Sequence, residues 1–237
     1  MSWDLEELRR AVEKRYDSKQ RDLLDPVLQS IADRRYFASY HHGQALKLIA
    51  EHLDDKDEAG RLKLEFGVTA DKSVAYRTAK LQAYAHVVAS LQSVHSLSDT
   101  LAHAIYFSLG INLDPLKAPR QRDVNLGWVI GRMSELPNCC GIADTLRRLR
   151  NNDDFRYLGH VVNRSKHQSV VRAGVTQHLG ESARTPWTLE LQSFEFDRGG
   201  ARHSYPSRAV DPFLPDEFLR QTKLIVEVGQ LLNKLVQ

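Results

Sequence analysis

Residues 72 to 109, KSVAYRTAKLQAYAHVVASLQSVHSLSDTLAHAIYFSL, contain neither Pro nor Gly. At 1.5 Å per residue the segment predicts a helix about 55 Å long, enough to organise a bundle. Tyr84, Val87, Leu91, Val94, Leu101, Ile105 and Leu109 recur at helical spacing and form its apolar stripe. Gly110 follows as a C-cap. His95 lies about 60° from the centre of that stripe, and Asp99 and His103 progressively further out. His95 and Asp99 are border residues, able to meet a polar face on a neighbouring helix.

The rest of the chain carries shorter signals of the same kind. Trp3, Leu5, Leu8 and Val12 make a stripe over residues 3 to 16. Asp25-Pro26 reads as an N-cap followed by a first-turn proline, opening a helix toward Arg35. A further helix, from about Phe37 to Leu53, leads into an acidic DDKDEAG loop. The Pro-bearing basic stretch INLDPLKAPRQRD reads as a loop, and Asp123 as the cap of a helix over 124 to 135. Leu136-Pro137-Asn138 breaks that helix, and a short one from about Cys140 to Arg150 follows. The next helix is expected to open on Asp153 and run to Arg172, with Gly174 marking its end.

The pattern changes near Gly180. WTLELQSFEF alternates apolar and polar positions, with a phase slip at Gln192-Ser193 that suggests a bulge. Asp197-Arg198-Gly199-Gly200 is turn chemistry and ARHSY the return strand of a β-hairpin. Pro206 to Pro215 reads as a loop, and Pro215-Asp216-Glu217 opens a closing helix with Phe218, Leu224, Val228, Leu231, Leu232 and Leu235 as its stripe. The fold class expected is mainly α: an antiparallel helical bundle with a C-terminal β-hairpin and closing helix. The division expected is N-terminal helices over 1–71, a bundle core over 72–179, and hairpin plus closing helix over 180–237.

With 42% hydrophobic and 27% charged residues, the composition is that of a globular chain rather than a disordered one. A net charge of only +3 supports no global argument for nucleic acid. Locally, Arg147, Arg148, Arg150, Arg156, Arg164, Lys166 and Arg172 face few acids, which makes a mild basic patch. Cys139 and Cys140 are adjacent, a spacing that neither bridges readily nor builds a zinc knuckle. A reduced, cytoplasmic setting is the simplest expectation. The charged MSWDLEELRR start carries no signal core, and no run reaches the roughly 18 apolar residues of a membrane span, so no membrane is expected.

The chemistry concentrates in Asp153 to Arg172, DDFRYLGHVVNRSKHQSVVR. On a wheel, Phe155, Leu158, Val162, Ser169 and Val170 gather on one side, and Arg156, His160, Asn163 and His167 fall in a second band of roughly 60°. Two imidazoles, an amide and a guanidinium are groups that hold anions or move protons. His160 and His167 are seven residues apart, an axial separation of about 10 Å, so they cannot share one metal ion. No H-E-x-x-H, G-x-S-x-G, P-loop or Rossmann motif occurs. Acid–base chemistry or anion binding remains, with RNA cleavage by imidazole needing little more than such a file. The plainer alternative is a satisfied polar network that the file shares with His95 and Asp99. A bundle metalloenzyme is a third reading, because His95 and Asp99 are correctly spaced but need another ligand.

Together, HVVASLQSVHSLSDTLAHAI on the long helix and FRYLGHVVNRSKHQSVV on the later one resemble the HEPN superfamily, in particular bacterial HEPN-like proteins with an N-x-x-K-H run, here Asn163 to His167. The resemblance covers about residues 74 to 172. It implies an all-helical bundle core, frequent homodimerisation and, in many members, metal-independent RNase activity in toxin–antitoxin or antiphage systems. RNA or a nucleotide, a second copy and an antitoxin or other protein are the partners it implies, and no cofactor is expected. Carried onto this chain, it makes His167, Asn163 and His160 the catalytic candidates. Arg156, Arg164, Lys166, Arg172, His95 and Asp99 are the binding candidates. The family motif is an Arg followed, after four to six intervening residues, by a His. Those positions here are Val162, Val161 and His160; Arg172 and His178 fit the spacing but straddle Gly174. The departure favours a divergent or non-catalytic member that binds nucleic acid, a nucleotide or a protein; the alternative is a non-catalytic helical scaffold or protein-binding module with a structural His/Asn network.

Overall fold

Eight α-helices form among the described residues, and a small antiparallel β-structure precedes the last. The computed structural model describes residues 2–68, 70–114, 118–179, 185–198 and 200–237. Residues 115–117 of the expected basic loop, the expected change of character at Gly180, and Gly199 of the expected turn lie outside them. Among the described residues no helix is long and apolar enough to cross a membrane.

Helix α1 (Leu5–Arg15) begins where the Asp4 side chain accepts the Glu7 N–H, and it buries Leu8 and Val12. Helix α2 (Ser18–Leu53) corrects the expected start at Asp25-Pro26, because Pro26 lies inside it. The Asp17 carboxylate caps the helix instead, accepting the Gln20 N–H at 2.8 Å. Asp25 is bonded to the Arg9 guanidinium at 2.8 Å. Leu24, Leu28 and Ile31 are buried on both sides of the proline, and their burial outweighs the hydrogen bond the proline forfeits. The expected break before Phe37 is absent as well. The acidic DDKDEAG stretch opens a helix, α3 (Glu58–Glu65), capped by Asp57.

The long expected helix is present as α4 (Ala70–Ser108). Gly110 ends it in the left-handed region at φ 61°, and a Cβ there would lie 2.6 Å from the Tyr16 ring, so glycine is required twice over. Helix α5 (Leu126–Glu135) is capped by Asn125 rather than Asp123, whose carboxylate pairs with Arg120 at 2.7 Å. Helix α6 (Cys140–Arg150) has its expected bounds. Helix α7 (Asp153–His167) is capped by Asn152, which accepts the Asp154 and Phe155 N–H groups.

The largest correction follows α7. The helix stops at His167, and the segment expected to be helical through Arg172 turns into a strand, β1 (Ala173–Gln177), with Gly174 inside it. Ser165 Oγ accepts the Val171 N–H and helps draw the chain out of the helix. Strand β1 pairs antiparallel with β2 (Trp187–Leu191), which also pairs with the short β5 (Arg208–Ala209). The expected bulged strand is two strands. After the break at Gln192-Ser193, β3 (Phe194–Arg198) leaves the first sheet and pairs with β4 (Ala201–Tyr205) in a second. Gly200, at φ 81°, turns that hairpin. Helix α8 (Val210–Val236) begins earlier than Pro215, within the expected loop, with Asp211 extended at its start.

The residues group into two units: Met1–Tyr36, Ser93–Tyr157 and Glu217–Gln237 form the first, Phe37–Gln92 and Leu158–Asp216 the second. The first has a core of Leu8, Leu24, Leu101, Ile105, Met133, Leu146 and Val228 among others. The second buries Ile49, Leu53, Tyr76, Val87, Leu158, Val161, Val162 and Leu191.

Candidate functional site

The second unit carries the end of α7, and the β3–β4 hairpin packs on it. Alternation sends Phe194 and Phe196 of β3 to one face, and the register sets them opposite Tyr205 and His203 of β4. His160 is seated against that face. Its ring centroid is 4.7 Å from Phe196, 4.9 Å from His203 and 5.6 Å from Tyr205. His160 Nδ1 and Tyr205 Oη are 2.6 Å apart. The phenol donates to Nδ1 when the imidazole carries its proton on Nε2. Only 7% of His160 is exposed. This imidazole is buried, stacked and hydrogen-bonded, and not open to a macromolecular substrate.

Further along α7 the file comes to the surface. Asn163 and Arg164 are half-buried, and Lys166 and His167 are exposed in the last turn. Arg164 donates to the Glu195 carbonyl of β3, which ties the helix to the hairpin. The opposite, outward face of the hairpin carries the Arg202–Glu195 ion pair. Beyond the helix, Arg172 is exposed and acts on the buried Tyr84 hydroxyl: burial raises the Tyr84 pKa, and the guanidinium opposes the rise. Neither Lys166 nor Arg172 forms an ion pair among the described residues. Cationic and imidazole groups at a helix C-terminus also complement the dipole.

The remaining candidates belong to the first unit. Asp99 accepts the Leu126 N–H at 3.5 Å, a long bond at the start of α5. It also opposes, through its charge, the lowering of the His103 pKa that burial causes. His95 accepts at its carbonyl from Ser98. Arg156 pairs with Asp153. Arg147 pairs with Asp144 and Arg148 with Glu227, so much of the basic patch read from the sequence is neutralised side chain by side chain. Ser169 and Val170, placed by the wheel on the apolar face of a longer helix, lie past its end and are exposed.

Tyr205, His203 and Phe196 are the partners that reasoning from sequence missed. The signal was there: the alternation of FEF and HSY puts these rings on one face of the expected hairpin. What periodicity could not say is which helix that face covers. Among the described residues no group of three or more His, Cys, Asp or Glu side chains converges on a point where a metal ion could sit. No family model, curated protein or solved structure matches the chain.

Proposed function

We propose that this is a HEPN-like RNA-binding protein, its long helices part of an antiparallel bundle, that holds the RNA backbone at the exposed end of α7. The observation that carries the reading is the sorting of the polar file. His160 is packed away beneath the hairpin, while Lys166 and His167 stand exposed beside the half-buried Asn163 and Arg164, with Arg172 just beyond. Ammonium, guanidinium and amide donors in one place are the groups that bind phosphate oxygens. Any cleavage falls to His167, the accessible imidazole, moving the 2′-hydroxyl proton, with Asn163 as donor to the phosphate. The absence of an Arg at Val162, Val161 or His160 favours binding over turnover.

The test is fluorescence anisotropy with single-stranded RNA across a salt series. Lys166→Ala and Arg172→Ala should each weaken binding and flatten the log–log salt slope by about 0.7. If the protein also cleaves RNA, His167→Ala should lower the rate by about 10²- to 10⁴-fold with the fold intact. A protein that does not bind RNA at low salt, or whose binding ignores both substitutions, is a helical scaffold instead.

A further inference from the structure

His41 on α2 and His86 on α4 face each other in the second unit, away from the α7 file in sequence and unused by the RNA reading. Their Nδ1 atoms are 2.8 Å apart and their ring centroids 5.0 Å. Tyr40 lies edge-on to both rings, at 5.2 and 6.4 Å. Both imidazoles are half-buried. Two ring nitrogens at this distance cannot both carry a proton, so one donates and the other presents its lone pair. Helices α2 and α4 therefore aim two ligand-type nitrogens at one point. Burial, and then the charge of His86, lowers the His41 pKa from its ordinary value and keeps that ring neutral near pH 7. His42 is engaged elsewhere, its Nε2 2.9 Å from Asp211 Oδ1.

We propose that His41 and His86 bind a divalent transition-metal cation of the zinc type through their two Nδ1 atoms, with water completing the shell. Tetrahedral zinc with bonds of about 2.0–2.1 Å sets two ligand nitrogens about 3.3 Å apart, so the two Nδ1 atoms must part by about 0.5 Å and the rings tilt until both lone pairs meet at the ion. The ion takes the place of the proton now held between the rings. The imidazole that carried that proton on Nδ1 takes up its Nε2–H form, and both lone pairs point at the metal. Above the imidazole pKa no proton is released to solvent; below it, binding displaces protons and weakens. Nitrogen ligands of this kind select zinc, copper or nickel over magnesium and calcium, which require oxygen. With two protein ligands the site suits an exchangeable ion rather than one on which folding depends.

The full-length protein, stripped of metal with a chelator and dialysed, is titrated with Zn²⁺ by calorimetry at pH 7.5. About one equivalent is expected to depend on this pair, with His41→Ala and His86→Ala each lowering its affinity at least about tenfold. His52→Ala is expected to leave it unchanged, and Mg²⁺ not to compete. Imidazole ¹⁵N spectra of the wild-type protein supply a readout that needs no variant: Zn²⁺ should shift the Nδ1 resonances of these two rings. Absence of binding, binding that survives both substitutions, or unmoved Nδ1 resonances would overturn the assignment. None of these outcomes bears on RNA binding at α7.

Discussion

Tyr205→Phe removes one hydroxyl and leaves the ring. The stack of residue 205 on Phe194, at 4.9 Å and 27°, survives, as does its place opposite Phe194 in the register. What disappears is the oxygen 2.6 Å from His160 Nδ1, on an imidazole only 7% exposed. Taking the partner from a buried polar atom costs about 1–3 kcal/mol. In a chain of this size each kcal/mol moves Tm by about 2–4 °C, so the middle of the range lowers Tm by about 6 °C. The double variant His160→Phe/Tyr205→Phe removes both polar partners from among Phe194 and Phe196 and should recover part of that loss, since an apolar pair of similar shape leaves less unsatisfied. Scanning calorimetry measures the melts, and anisotropy with single-stranded RNA is run beside them. If His160 is architecture, the single variant melts early and binds RNA within about twofold of wild type. A variant that melts like wild type yet loses RNA affinity or cleavage refutes this reasoning and puts His160 in the working machinery.

Gly229→Ala places a Cβ 2.1 Å from the Trp3 indole, so the ring must leave α8 and surrender its bond to Asn233; a loss of about 1–3 kcal/mol is expected, with tryptophan emission shifting to the red. The acid limb of stability follows from the histidines that burial holds below their ordinary value of 6.5, His41 and His103. As pH falls below 6.5 the unfolded chain takes up these protons before the folded one does, so stability is full above that value and declines beneath it. Urea midpoints at pH 7.5 and 5.5 should show the decline, His103→Gln should flatten it, and an identical slope in that variant would count against the burial argument.

The helices were legible wherever their determinants are local. The unbroken period of residues 72 to 109 and the left-handed stop at Gly110 are properties of a few neighbouring residues, and α4 and its end follow from them. The same holds for α6, bounded by the Leu136-Pro137-Asn138 break, where Asn138 takes φ 63°. Caps were less legible, because several residues compete for one role. Asp25 and Asp123 have the right chemistry for caps, but the structure spends their carboxylates on Arg9 and Arg120. A side chain's partner is a tertiary fact, and no pattern along the chain discloses it.

The end of α7 shows where sequence hands over to tertiary structure. On its own, RSKHQSVVRAG continues a plausible helical wheel, and the β-branched Val170 and Val171 argue only weakly against it. A strand has no hydrogen bonds of its own to weigh against that helix; it exists only if a partner strand is in place. The partner is β2, whose register with Ala173–Gln177 converts the segment. The break at Gln192-Ser193 has the same character: the slip in alternation was visible, but separation into two sheets depends on β1, β4 and β5 being there to pair. The candidate site divides along this line. Periodicity alone put His160, Asn163 and His167 on one helical file. Only the hairpin, folding over the first of them and leaving the last in solvent, decided which imidazole is core and which can meet a ligand, because burial is set by what packs on a helix and not by the helix itself.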